Sequence, residues 1–231
     1  MDKAQGYSSY CKHYVAIDCI IFGFDDNQLQ LLLVKRQLQL WKDYWSLMGG
    51  FVGNDESLDE AAARVLTELT GLANIYLEQL YTYGDIKRDP GGRVISVSYC
   101  ALIKTKLYDT ELGNKHSAQW FSMDNLPELI FDHREMVDKA LRRLRRKSLT
   151  QPIGFELLPE KFTLTQLQCL YQAIHHSEFD KRNFRKKILG MDVLTQLEEK
   201  DRHSSKKGAY LYRFDKMKYD KLIDRGYIFE L

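Results

Sequence analysis

Residues 49–72, GGFVGNDESLDEAAARVLTELTGL, limit the fold of this chain more than any other stretch. Two glycines break the apolar run WSLMGGFV (45–52), so a short strand must give way to a turn. Acids follow, and Asp55 or Ser57 can cap a helix that runs to about Thr70, with Gly71 as its stop. A glycine turn leading through acids into a helix of this length has the make-up of a site for a metal ion and a diphosphate. Yet Val65 and Leu69 stand where carboxylates would be wanted.

The flanking sequence supplies a sheet. YVAIDCIIFGF (14–24) and LQLLLVKR (29–36) read as a hairpin around the turn residues DDNQ. Residues 75–84, 93–104 and 119–123 read as further strands, and KRDPGG (87–92) as a charged Pro/Gly loop. A second helix is expected over 132–147. Strands around these two helices predict an α/β or α+β domain. LTQPIGFELLPEKF (149–162) carries two prolines and little periodicity, which places a boundary near 150: one domain over 1–150, a second over 151–231.

The second part has another order. Thr163 with Gln166 fits a capping box, and Leu164, Leu167, Leu170, Tyr171 and Ile174 form one apolar stripe. Asp180 can cap a second helix, KRNFRKKILGM (181–191). DVLTQLEE (192–199) and AYLYRFD (209–215) then flank the polar loop 200–208. Helix, turn, basic helix and hairpin make a winged helix-turn-helix, whose second helix enters the major groove of DNA. Its expected DNA-binding residues are Lys181, Arg182, Asn183, Arg185, Lys186 and Lys187, with Arg202, His203, Lys206 and Lys207 on the wing. Arg and Asn read base edges, whereas Lys mostly meets phosphate. A solvated basic helix, or a winged helix that binds protein, is the competing reading.

Charge bears on the choice. The net charge is only +2, but residues 1–132 hold 12 Lys and Arg against 18 Asp and Glu, a balance of −6. Residues 133–231 hold 22 against 14, a balance of +8, which suits an anionic partner for the second part. No apolar run is long enough to span a membrane, and MDKAQGYSSYCKHY lacks a signal-peptide core. The four scattered cysteines include no CxxC pair, which argues for reduced thiols, a cytoplasmic location and no structural zinc.

Residues 49–72 resemble the Nudix box of diphosphate hydrolases, through Gly50, Glu56, Arg64, Leu66, Glu68, Gly71 and Leu72 at the box's spacing. In working members the glutamates bind Mg²⁺ or Mn²⁺, and the metal activates the attacking water. Val65 and Leu69 replace two of those glutamates, which implies a retired hydrolase site with no metal and no cofactor. Glu60, Arg64 and Glu68 are spaced to form a salt-bridged ridge. With the winged helix, the chain resembles the Nudix-related transcriptional regulators of bacteria: a Nudix-like α/β/α sandwich with a mixed sheet, then a C-terminal winged helix-turn-helix. The resemblance implies a homodimer on palindromic double-stranded operator DNA, responding to a small-molecule effector. AIDCIIFGF, WSLMGGFV and RVLTELTGL look most like the Bacteroidetes branch that senses L-arabinose and controls pentose utilisation. The alternatives are an ADP-ribose-responsive regulator of NAD metabolism, or a hydrolase of ADP-ribose or a nucleotide sugar.

Ligand contacts are expected from Asp18, Lys35, Arg36, Trp45, Arg88, Asp89 and Arg93. Asp18 interrupts a core strand and needs partners, either a ligand hydroxyl or a neighbouring loop. Trp45 is a sugar platform or plain core. Arg88, Asp89 and Arg93 lie on or beside the Pro/Gly loop, where binding residues often sit. Tyr7, Ser8 and Ser9 form a polar segment able to fold over a pocket.

Overall fold

The computed structural model describes residues 9–25, 27–36, 41–73, 75–105, 117–202 and 208–226. The first part is built on the strands β1 (Tyr14–Asp25), β2 (Gln28–Lys35), β3 (Trp45–Ser46), β4 (Met48–Phe51), β5 (Glu78–Tyr83), β6 (Val94–Leu102) and β7 (Ala118–Ser122). Among the described residues they form one mixed sheet with the path β3-β2-β1-β6-β5; β4 also pairs β1, and β7 pairs β2. β1 lies parallel to β6 and antiparallel to β2 and β4. It is apolar over most of its length because both of its faces are covered.

Side chains alternate across a strand, and that alternation sets the layers. Ile17, Cys19 and Ile21 face α1 (Leu58–Thr70), packing with Ala61, Ala62, Val65 and Leu66. Ile20 and Phe22 face α2 (His133–Thr150), packing with Met136, Val137, Ala140 and Leu144. Fully burying a leucine or isoleucine stabilises by about 1.5–3 kcal/mol, so the two faces together anchor both helices. Asp18 falls in register with Ile20 and Phe22, on the face where α2 begins.

The expected single strand over 45–52 is two pieces. Trp45–Ser46 pairs with β2 and Met48–Phe51 pairs with β1. The break falls at Leu47, whose backbone N–H donates to His133 Nδ1 (3.1 Å) rather than to a ladder partner. Ser57 proves to be the α1 cap, in a full capping box with Glu60, and Gly71 ends the helix at φ 74°.

The second part contains β8 (Phe162–Thr163), α3 (Leu164–His175), α4 (Lys181–Gly190), β9 (Leu194–Asp201), β10 (Ala209–Phe214) and α5 (Lys216–Asp224). The sheet order is β8-β10-β9. The capping box of Thr163 and Gln166 starts α3 as its sequence requires, and Asp180 Oδ1 accepts from Asn183 N (2.8 Å) to start α4. Phe184 and Ile188 of α4 are buried against the α3 stripe. α5 and the short β8 were not legible in the sequence: α5 buries none of its residues, and a two-residue strand carries no period. The two parts share one apolar cluster, which runs from Met136 and Leu144 of α2 to Leu167, Tyr171 and Ile174 of α3.

Candidate functional site

A partly open cleft of about 220 Å³ lies over the β1–β4 pair, where the starts of α2 and of the 85–93 loop converge. Of the expected ligand contacts it gathers Asp18, Lys35, Arg36, Arg88 and Asp89; it adds Ser46, Gly49, Phe131 and His133, which sequence reasoning missed.

At its floor is a buried polar network. Ser96 Oγ donates to Asp18 Oδ2 at 2.5 Å. Arg88 Nη2 stands 3.6 Å from Asp18 Oδ2, and His133 Nε2 stands 3.6 Å from Asp18 Oδ1. Arg88 also donates through Nε and Nη2 to both oxygens of Asp132, at 2.9 and 2.8 Å. A guanidinium with 3% of its side chain exposed requires such pairing, because an unpaired buried charge is costly. Asp132 is the α2 cap residue, yet its side chain makes no capping bond, since Arg88 occupies both oxygens.

His133 Nδ1 accepts the Leu47 N–H, so the network assigns the ring proton to Nε2, facing Asp18. Burial lowers the imidazole pKa below its ordinary value of 6.5, against the opposing pull of Asp18. The result is a neutral donor beside a carboxylate, suited to hold sugar hydroxyls. Phe131 sits at φ 52°, a left-handed conformation uncommon for an aromatic residue, and the Arg36 guanidinium lies 5.2 Å from its ring centre. Phe131 and His133, at the start of α2, both line the cleft.

Two expected contacts lie elsewhere. Trp45 does not line the cleft: its ring packs edge-on against Phe121 (4.7 Å between centroids), with the Lys35 ammonium 5.4 Å above it. The plain-core reading of Trp45 therefore describes its position. Arg93 points along the loop and donates through Nη1 to Gly84 O at 2.7 Å, closing the turn instead of facing the cleft. Asp89 reaches the cleft while its Oδ1 accepts from Gly91 N at 2.8 Å. Tyr7 and Ser8 lie outside the described residues, and Ser9 is exposed. The missed partners left one usable sign: Ser96 and Ser98 alternate in an apolar strand paired with β1, which marks polar neighbours for Asp18.

The Nudix-box frame is intact. Arg64 donates to Glu56 through Nε (2.9 Å) and Nη2 (2.6 Å), and to Phe51 O at 3.0 Å. Glu56 Oε1 also accepts from Gly53 N at 2.7 Å. The Arg64 and Gly53 bonds hold the Glu56 carboxyl down at about 2. The expected ridge forms only in part: Arg64 pairs Glu68 at 3.3 Å, but Glu60 is taken by the Ser57 backbone. Of the box glutamates expected in a metal site, Glu68 keeps its position here, and Val65 and Leu69 stand at two others. Val65 is buried beneath Gly50, Leu69 is apolar on the cleft wall, and Glu68 turns to Arg64. Hard divalent cations take several oxygens, so this donor set does not fit one. Among the described residues no three His, Cys, Asp or Glu gather to hold a metal.

On α4, Lys181, Arg182, Asn183, Lys186 and Lys187 are exposed. Arg185 differs from expectation. It is half-buried, with Nη2 donating to Thr165 Oγ1 at 3.2 Å, which turns it toward the start of α3. Arg202 is exposed at the end of β9; His203, Lys206 and Lys207 lie outside the described residues. No helix among the described residues is long and apolar enough to cross a membrane.

Comparison with known proteins places these two parts. Residues 12–142 match the NUDIX domain family, and residues 154–214 match the NrtR DNA-binding winged helix domain. The ADPR responsive transcriptional repressor NtrR of Acinetobacter baylyi is 35% identical over 217 residues, covering 92% of this chain and 86% of that protein. The crystal structure of Shewanella oneidensis NrtR complexed with a 27mer DNA is 28% identical, with TM-score 0.76, covering 93% of this chain and 97% of that one. The NUDIX domain of the same NrtR complexed with ADP ribose is 29% identical, with TM-score 0.52, covering 62% of this chain and 99% of that one. The Acinetobacter repressor is named as ADPR responsive and the Shewanella NUDIX domain is complexed with ADP ribose, and none of these relatives supports the expected arabinose branch. The chain belongs to the family of transcriptional regulators that join a Nudix domain to an NrtR-type DNA-binding winged helix.

Proposed function

We propose that this regulator binds operator DNA as a homodimer through its 151–231 part and senses ADP-ribose in the cleft of its 1–150 part. The observation that carries the effector reading is the cleft's own chemistry. Lys35, Arg36 and Arg88 line it for a diphosphate, while Asp18 and neutral His133 offer partners for ribose hydroxyls. Replacement of two box glutamates by Val65 and Leu69 supports binding without hydrolysis. A pentose alone carries no anionic group to match that cationic lining.

α2 links the two tasks. It starts at the cleft with His133 and, at 18 residues, runs about 27 Å. Its far end holds the winged helix: Arg145 Nε donates to Ile174 O at 2.7 Å, and Ser148 Oγ meets His175 Nε2 at 2.8 Å. A ligand anion that draws Arg88 from Asp132 changes how α2 is held, and so favours one placement of the DNA-binding part.

The test is anisotropy of operator DNA, isolated by selection from genomic fragments, titrated with protein in the presence of ADP-ribose, L-arabinose or D-xylose. A shift with ADP-ribose alone supports the reading. A shift with a pentose alone replaces it, and Mg²⁺-dependent cleavage of ADP-ribose would restore the hydrolase reading.

A further inference from the structure

Arg88 Nη2 stands between two carboxylates, 2.8 Å from Asp132 Oδ1 and 3.6 Å from Asp18 Oδ2. Which of them it holds decides how α2 begins. We propose that Ser96 is a positioning residue: by occupying Asp18 Oδ2 it keeps Arg88 on Asp132, and so leaves α2 uncapped until a ligand anion takes the guanidinium. The proposal rests on the ADP-ribose reading for its ligand and adds what sets the resting state of that site.

Three observations carry it. The first is which oxygen is filled. Ser96 Oγ donates to Asp18 Oδ2, the oxygen that faces Arg88, while His133 Nε2 faces Oδ1. Ser98, the ladder partner of Asp18, donates away from it, to Tyr81 O at 3.1 Å. The second is distance. Ser96 and Asp18 are both buried, and a buried carboxylate oxygen that loses its donor is costly. Arg88 Nη2 is the cation at hand, and it needs to move only about 0.8 Å to reach an ordinary charge-assisted length at Asp18. The third is the cap. Ser57, Thr163, Asp180 and Asp215 each accept from a first-turn amide of the helix they start. Asp132 makes no such bond, since Arg88 takes both of its oxygens, and its backbone (φ −94°, ψ 14°) lacks the extended form usual in a capping residue. Transfer of Nη2 to Asp18 frees Asp132 Oδ1 for the Arg134 or Glu135 amide. The two arrangements exchange one charge-assisted bond for another and differ by a helix cap, so a single hydroxyl on Asp18 is enough to set the balance.

The experiment compares the full chain with Ser96→Ala and Asp132→Asn. Hydrogen exchange at the Arg134 and Glu135 amides is measured without ligand, and anisotropy of operator DNA with and without ADP-ribose. Asparagine caps a helix as well as aspartate but holds a guanidinium less strongly, so the two variants are expected to behave alike. Exchange at one or both amides is expected to slow about fivefold. The change in operator affinity caused by ADP-ribose, expected at about fivefold or more in the unmodified chain, is expected to fall within about twofold in the variants. A merely structural Ser96 would lower the unfolding midpoint and leave exchange no slower. If Ser96→Ala does not fold, Ser96→Cys, whose thiol is a weaker donor, takes its place. Wild-type exchange in the Ser96 variant overturns the role of Ser96. Slowed exchange with an undiminished DNA response overturns its link to regulation. Absence of any ADP-ribose response in the unmodified chain overturns the effector reading alone, and exchange then decides the role of Ser96.

Discussion

Arg88 and Asp132 are 44 residues apart in sequence, yet they form a two-bond ion pair at 2.9 and 2.8 Å that ties the 85–93 loop to the residue that caps the start of α2. The same guanidinium faces Asp18 in the central strand, so one side chain joins three segments of the chain.

Removing that side chain leaves two carboxylates in a largely buried setting. Arg88→Ala is expected to cost about 3–5 kcal/mol of stability, as for other broken buried pairs, and to abolish the ADP-ribose response. Urea unfolding measures the first and anisotropy the second. A loss under 1 kcal/mol would mean that water already reaches Asp132.

His133 makes the protein sensitive to mild acid. Its folded pKa is lowered by burial, so the unfolded chain binds the proton more readily. The stability it contributes is complete above the ordinary value of 6.5 and is lost as pH falls from there through the folded pKa. Thermal unfolding at several pH values below 6.5 should show a slope that His133→Gln reduces. An unchanged slope in the variant would assign the effect to another group.

Gly49 pairs across the ladder with Asp18, and a Cβ there would lie 2.5 Å from Asp18 Oδ1 and 2.9 Å from Ile17 O. Gly49→Ala must displace backbone, at about 1–3 kcal/mol, and disturb the carboxylate that lines the cleft. The expected outcome is a folded protein with reduced unfolding midpoint and weak ADP-ribose binding; wild-type values for both would show that β4 yields freely.

The Glu56–Arg64 pair closes the turn that leads into α1. Its Glu56 carboxyl, held at about 2, stays ionised to low pH, so its contribution is present above the ordinary 4.5 and is lost as pH falls through about 2. Glu56→Gln should speed hydrogen exchange at the Gly53 amide, which donates to that carboxylate. Equal exchange rates would show that the turn closes without the pair.

On the DNA side, Arg182 and Arg185 should separate. Arg182→Ala is expected to weaken operator binding about tenfold without altering stability, consistent with loss of one base or phosphate contact. Arg185→Ala, which removes the bond to Thr165, should lower stability as well as affinity. Equal effects from both on affinity alone would return Arg185 to the exposed face.

Much of this protein is written locally. The capping boxes Ser57/Glu60 and Thr163/Gln166, the left-handed stop at Gly71, the apolar β1 and the α3 stripe all follow from side chains within a few positions of one another. Local hydrogen bonds and periodic burial suffice for them, which is why most strand segments, the Nudix-box frame and the winged-helix order are legible in the chain alone. The interior of the cleft is not local. Asp18, Arg88, Ser96 and His133 come from β1, a loop, β6 and the start of α2, and their meeting depends on the sheet register and on α2 lying across it. The same holds for Trp45, turned into the core by Phe121, and for Arg185, drawn to Thr165 by the packing of α3 on α4. Sequence alone determined most of the elements and where charge accumulates. Only the tertiary structure decided which charges are buried together, because a carboxylate's partner is chosen by distance in space and by the cost of leaving it dry and unpaired.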